Sequence, residues 1–329
     1  MKLGSLKEGG RDGTLIVVSR DLSRAVRATG IAATLQQALD DWSNTAPRLN
    51  ALYESLDGDA DGVFDLDMSR LAAPLPRAYE FVDGSAYLPH VERVRRARGA
   101  EVPDSFYTDP LMYQATSAGF YGPRDTVKVT SEDHGIDLEA EIVVITDDVP
   151  MAVTPEQAAG HIQLIGLVND VSLRNLIPGE LAKGFGFLQS KPRSALSPVF
   201  VTPDELGDAW RGNKLHLPLL THINGEWFGA PEAGVDMQFD FAQLVAHAAK
   251  TRPLVAGTIV GSGTIANEDT SKGASCFAEK RTVETLAHGK PQTPFMAFGD
   301  AVRIEMFDAQ GKSIFGAIEQ VVERQALPE

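Results

Sequence analysis

The run IDLEAEIVVIT at residues 136–146 places Asp137, Glu139 and Glu141 at alternate positions and then passes straight into Ile, Val, Val, Ile. A period of two is the mark of an extended strand, in which neighbouring side chains point to opposite faces. The three carboxylates then share one face, about 7 Å from one to the next, while Ile136, Leu138, Ala140 and Ile142 share the other. Like charges stacked this way must be solvated or held by a partner. The plain reading is a wet strand face backed by an apolar one. The sharper reading is a site for a metal cation.

Other short aliphatic runs, LIGLVND, LSPVFV, HLPLLTHING and TIVGSGT, are bounded by Gly and Pro and read as strands, as does TLIVVS at residues 14–19. Helical stretches are fewer. Thr34 with Gln37 three residues on forms a capping box that opens a short helix. A second helix is expected from Pro47 to just before Gly58, a third over residues 90–98 and a clear one over 241–251. This mix predicts an α+β, strand-rich chain without regular βαβ alternation. Pro74 and Pro76 interrupt helix and ladder alike, so a small N-terminal domain, residues 1–75, is expected ahead of a larger one, residues 76–329.

Composition narrows the function classes. Lys and Arg number 30 against 45 Asp and Glu, so the clustered basic side chains that phosphate contacts require are lacking and nucleic acid is not an expected partner. No run of eighteen apolar residues and no secretory h-region occur, which argues against a membrane partner. The single cysteine, Cys276, allows no internal disulfide and fits a reducing, cytoplasmic setting, where it is expected as a buried thiol.

Two motifs imitate familiar sites. DGDADGVFDLDM sets Asp57, Asp59, Asp61 and Gly62 as in a calcium loop, but Met68 stands where a bidentate Glu closes the cage, so an acidic turn is expected. GSGT at residues 261–264 matches neither phosphate-loop pattern and reads as a tight turn after a strand.

Four separated segments carry the remaining chemistry. Asp83 precedes His90 by seven residues in VDGSAYLPH; Glu139 and Glu141 form an E-x-E pair; Asp170 and Arg174 lie in NDVSLR; Lys191 lies in FLQSKP. In this order, over about residues 76–322, they resemble the fumarylacetoacetate hydrolase family. The resemblance implies a mixed β-sandwich or β-roll catalytic domain behind a small β-containing N-terminal domain, assembled as a homodimer. It implies that Asp83, Glu139, Glu141 and Asp170 bind a divalent metal, and that His90 is the catalytic base, oriented by Glu279. Lys191 and Arg174 would join in catalysis, and Tyr113, Thr264 and Arg174 would contact substrate. Three positions depart from the pattern: Asn175 replaces the usual Asp, Ile177 a Gln donor of the fumarylacetoacetate branch, and Ser85 that branch's second Tyr.

Four carboxylates without a Cys or His ligand make a hard-oxygen site, suited to Mg2+ or Ca2+ and also to Mn2+. A 1,3-diketo acid chelates such an ion through two oxygens. The implied reaction is hydrolysis of a carbon–carbon bond, 4-fumarylacetoacetate to fumarate and acetoacetate, in aromatic compound catabolism. The alternatives are a hydrolase or decarboxylase of another acylpyruvate, such as fumarylpyruvate, and a non-catalytic metal-binding homologue. Arg174 offers a planar fork to a substrate carboxylate, or else an ion pair with a nearby acid. Arg93, Arg95, Arg96 and Arg98 are expected as solvated helix charges that add positive potential.

Overall fold

The computed structural model describes residues 1–56, 58, 61–97, 99 and 101–326. Asp57 and Asp59 of the calcium-loop imitation, and Arg98, lie outside the described residues. At the middle of a large sheet lies the strand Ala140–Thr146, antiparallel to Ile162–Asn169 on one side and to Ile259–Gly261 on the other. Beyond Ile162–Asn169 the sheet continues through Phe200–Val201, Lys2–Leu6, Thr14–Val18 and Arg24–Arg27 to Phe64–Asp65. Beyond Ile259–Gly261 it continues, by a parallel pairing, to Phe81–Gly84 and then Met112–Gln114. The N-terminal segment thus supplies one wing of the sheet, joined where Lys2 and Leu3 pair with Val201 and Phe200. Pro74 and Pro76 fall in irregular backbone between Leu71–Ala72 and Phe81–Gly84.

Both faces of the central strand are covered. Val143 and Ile145 pack with Leu164, Val168 and Phe200 against Leu35, Leu39 and Leu49 of the N-terminal helices. Ile142 and Val144 pack on the opposite face, with Ile165 and Leu167, toward Val302, Ile304 and Ile318 of a second, five-stranded sheet. A strand buried on both faces reads as an unbroken apolar run, which is what IVVI is. The wet strand face is therefore overturned: Asp137, Glu139 and Glu141 are all buried.

Three local details differ from expectation. The run 136–146 is two strands, Ile136–Asp137 and Ala140–Thr146, because the backbone between them bonds outside the ladder. Glu139 N donates to Asn169 Oδ1 (3.2 Å), and Glu139 O accepts from Asp170 N (2.9 Å). The second helix starts earlier, spanning Trp42–Ser55, and carries Pro47 in its second turn, where one N–H bond is lost. A further helix, Phe277–His288, was not anticipated, since only Phe277 and Glu279 in it are buried and it has no apolar stripe to announce it. Of the expected capping box, Thr34 accepts from Gln37 N at 3.1 Å, while the Gln37 side chain accepts from Ala33 N (2.7 Å) and not from the cap residue's own N–H.

Gly166, paired with Val143 in the central ladder, has the ring of buried Phe200 where a side chain would go: a Cβ there would stand 2.0 Å from Cδ1. Gly166→Ala is expected to cost about 1–3 kcal/mol by overpacking. Urea denaturation would show it as a lower midpoint, and adding Phe200→Leu should recover part of the loss.

Candidate active site

Strand register assembles the site. Asp83 pairs with Gly261 and with Tyr113, and Gly261 pairs with Val143; one step along, Glu141 pairs with Val168, two residues before Asp170. Because side chains alternate, Tyr113, Asp83, Glu141 and Asp170 emerge on the same face. Two glycines make room for them. A Cβ at Gly261 would lie 2.1 Å from Asp83 Oδ1. Gly263, at φ +77°, turns so closely under Gly84 that a Cβ would lie 2.3 Å from its carbonyl oxygen, and its N–H donates to Asp83 Oδ1 at 3.0 Å.

Asp83, Glu141 and Asp170 each bring a carboxylate oxygen within 4.8 Å of the others, all three buried. Asp170 accepts from Ser194 Oγ (2.5 Å), from Lys191 Nζ (2.7 Å) and from the Tyr113 hydroxyl. Among the described residues Glu141 has only the Thr264 hydroxyl at 3.5 Å, and its Oε2 is buried without a partner. Burial, then repulsion from Asp170, pushes the Asp83 carboxyl up to about 8. Burial and the neighbouring Asp83 raise Glu141 well above the usual range. An all-oxygen cluster with an orphaned acceptor and mutually repelling acids fits a hard divalent cation.

The fourth expected metal ligand, Glu139, stands beside this cluster with its oxygens already occupied. Arg174 donates to its Oε1 (2.6 Å), while Lys191 (2.5 Å) and Ser172 (3.1 Å) donate to its Oε2. Burial opposes ionisation, but these two cations hold Glu139 far below the ordinary carboxylate range. Arg174 also donates from Nε to Asp137 (2.8 Å). The ion pair with nearby acids is therefore what occupies its fork. Asp137 in turn accepts from the N–H groups of Phe277 and Ala278, fixing the first turn of the unanticipated helix.

That turn carries Glu279. Its Oε2 lies 2.6 Å from His90 Nδ1, and its Oε1 accepts from Arg93 at 2.5 Å. Burial opposes the charge, yet His90 and Arg93 lower the Glu279 carboxyl, so it is the acceptor and His90 Nδ1–H the donor. In the neutral tautomer that this hydrogen bond selects, Nε2 carries the lone pair. A cavity of about 750 Å³ is lined by Asp83, His90, Tyr113, Glu141, Lys191 and Thr264 among others. The expected site residues are thus gathered here, with Asp170 and Glu279 behind the lining.

Comparison with known proteins fits this geometry. The family described as fumarylacetoacetate (FAA) hydrolase C-terminal matches residues 80–323, and fumarylacetoacetase N-terminal domain 2 matches residues 1–77. The chain belongs to the fumarylacetoacetate hydrolase family. Relatives include a 2,4-didehydro-3-deoxy-L-rhamnonate hydrolase of Sphingomonas, 28% identical over 160 residues, 48% of this chain and 53% of the relative. An oxaloacetate tautomerase of Bacillus subtilis is 26% identical over 209 residues, 61% of this chain and 64% of the relative. The matched regions span about half to just under two thirds of these relatives. Fumarylacetoacetate hydrolase from Exiguobacterium antarcticum shares the fold, with TM-score 0.67 and 19% identity, covering 99% of this chain and 100% of that one. So does a Sphingobium maleylpyruvate hydrolase solved with manganese(II) and pyruvate, with TM-score 0.66, 15% identity and the same coverage.

Within this fumarylacetoacetate hydrolase family member, the departures take definite places. Ser85 and Ile177 line the cavity, and Asn175 reaches it as well while its side-chain amide donates to Asp133 O at 2.8 Å. Residues that sequence reasoning left without a role also matter. Glu180 accepts from the N–H groups of Leu188, Gln189 and Ser190 and so fixes the loop that delivers Lys191. Ser194 and Glu180 have no sequence signal; Asp137 had one, its place in the alternating run.

Saturation with Mn2+ or Mg2+ at a hundredfold above Kd is expected to stabilise the protein by about 2.7 kcal/mol. Glu141→Ala should gain nothing from either ion, as read by thermal midpoint with and without a chelator.

Proposed function

We propose that this chain hydrolyses a carbon–carbon bond in a 1,3-diketo acid, with 4-fumarylacetoacetate, cleaved to fumarate and acetoacetate, as the first substrate to test. The observation that carries the reading is one cavity lined by a carboxylate-oriented imidazole, by Lys191 and by members of a buried acidic cluster fit for a cation. A divalent ion held by Asp83, Glu141 and Asp170 would supply Lewis-acid polarisation of the substrate carbonyl. His90 Nε2 takes a proton from water as the water oxygen bonds to that carbonyl carbon, while Glu279 fixes the tautomer and stabilises the imidazolium. Collapse of the tetrahedral adduct re-forms a carbonyl and breaks the carbon–carbon bond, leaving its electron pair as an enolate. Lys191 spends two N–H groups on Glu139 and Asp170, so one is available to that developing oxyanion. Protonation of the enolate carbon, with the proton returned from His90, completes the balance.

A second reading, another acylpyruvate such as fumarylpyruvate, is favoured by Ser85 and Ile177, which line the cavity without the donors of the fumarylacetoacetate branch. The relative that tautomerises oxaloacetate uses a related 2-oxo acid, so that compound belongs on the same panel. We place the enzyme in the cytoplasm as a homodimer; among the described residues no helix is long and apolar enough to cross a membrane, and sedimentation velocity tests the assembly.

Loss of the diketone's ultraviolet absorbance measures turnover. His90→Ala should lower kcat by roughly 10²–10⁴, and undiminished turnover would remove His90 from the role of base. Ile177→Gln should raise kcat/KM for fumarylacetoacetate relative to acylpyruvates with apolar tails, and an unchanged ratio would remove residue 177 from acyl-group selection. Cation binding without consumption of any diketo acid would point to the non-catalytic alternative.

A further inference from the structure

We propose that Arg93 is a positioning residue for the His90 base: it shares the Glu279 carboxylate so that Glu279 orients the imidazole without locking it in the protonated form. The inference rests on the reading of His90 as base. Arg93 follows His90 by three residues on the helix Leu88–Ala97, which puts both on one helical face. Its NH1 donates to Glu279 Oε1 at 2.5 Å, and its NH2 to the carbonyl oxygens of Asn267 (2.7 Å) and Glu268 (2.8 Å). The guanidinium is thus oriented by neutral carbonyls and faces one carboxylate with its full charge. Exposure of 16% for Arg93 and 2% for Glu279 keeps solvent screening low.

A buried carboxylate bonded to an imidazole favours the imidazolium, because a single opposite charge that close stabilises the charged form. A base must be unprotonated at working pH. Two donors to two oxygens resolve the conflict: Oε2 holds Nδ1–H, and the cation on Oε1 offsets the carboxylate's field at the ring. Other titratable groups surround this unit. Cys276 Sγ lies 3.3 Å from Glu279 N at the helix start, the Glu268 side chain points into solvent, and Lys280 lies over the Phe228 ring. Asp83, Glu139 and Glu141, with Asp170 behind them, and the cations Arg95, Arg174, Lys191 and Arg281 border the same cavity. These persist whether or not Arg93 is present.

A merely structural arginine would staple the helix Leu88–Ala97 to Phe277–His288, and its loss would lower stability without moving the imidazole's titration. The experiment is NMR titration of ring-labelled histidine in the full chain, metal-free and with Mg2+, with the His90 signal identified by its loss in His90→Gln. In Arg93→Met the His90 midpoint should rise by about one pH unit. The ascending limb of kcat/KM against pH should move by the same amount, and Arg93→Lys should restore most of both. A midpoint in Arg93→Met that stays in place or falls overturns the proposal, whatever happens to the thermal midpoint. Should Arg93→Met not fold, Arg93→Gln, which keeps an amide donor and drops the charge, carries the same expectation. Turnover that survives His90→Gln would refute His90 as base, while the NMR midpoint would still report whether Arg93 tunes the ring.

Discussion

Five buried carboxylates, Asp83, Asp137, Glu139, Glu141 and Asp170, converge at one end of the large sheet, and their mutual repulsion is the constraint that the surrounding structure meets. Two cations are threaded between them. Arg174 bridges Asp137 and Glu139, and Lys191 bridges Glu139 and Asp170. Each bridge sets a cation between acids that would otherwise face one another across a medium of low dielectric. Formal charge still leaves three negatives over, concentrated at Asp83, Glu141 and Asp170. A divalent cation offsets two of them, which is why this trio, in which only Asp170 has a cationic partner, is the candidate metal centre.

The sheet supplies the geometry at low cost because its register puts the acids in adjacent rows. On one side Asp83 pairs with Gly261, which has no side chain, so its carboxylate lies over the neighbouring backbone. The turn at Gly263 brings an N–H to the same carboxylate. Covering both faces of the sheet then removes water, which strengthens every charge interaction within and makes an unfilled acceptor such as Glu141 Oε2 costly. Fold and site are in this sense one arrangement: the apolar residues that continue the strand from Glu141 keep the cluster dry.

Much of this was legible in the sequence, and what was not has physical reasons. Alternation in the run 136–146 gave the strand and gathered three acids, but period two says nothing of what lies over a face. A solvated row and a buried, cation-bridged row look alike until distant Arg174 and Lys191 are placed. The aliphatic runs announced strands because strands buried on both faces must be apolar throughout. The helix Phe277–His288 stayed hidden because its first turn is held by Asp137, a long-range side-chain cap. Glu279 was therefore reached through the family resemblance and not through helical periodicity. In sequence Arg93 is one of four helix charges that look alike, since sequence cannot tell which member of such a run turns inward. The proline-rich boundary near residue 76 was visible, yet no local signal showed that strands from both sides of it share one sheet.

The charge distribution also bears on how the cavity can be filled. A diketo acid of the proposed kind is itself anionic, and with the cluster fully ionised it would meet the negative charge of Asp83, Glu141 and Asp170. Arg174 cannot offset this, because its fork is committed to Asp137 and Glu139, and Lys191 is shared between two acids. The cluster is neutralised either by the protons that the raised Asp83 and Glu141 carboxyls retain or by a cation that displaces them. The His90–Glu279–Arg93 unit differs in kind, being already balanced within itself. One half of the site leaves room for an external positive charge and the other carries its own, although both open on one cavity.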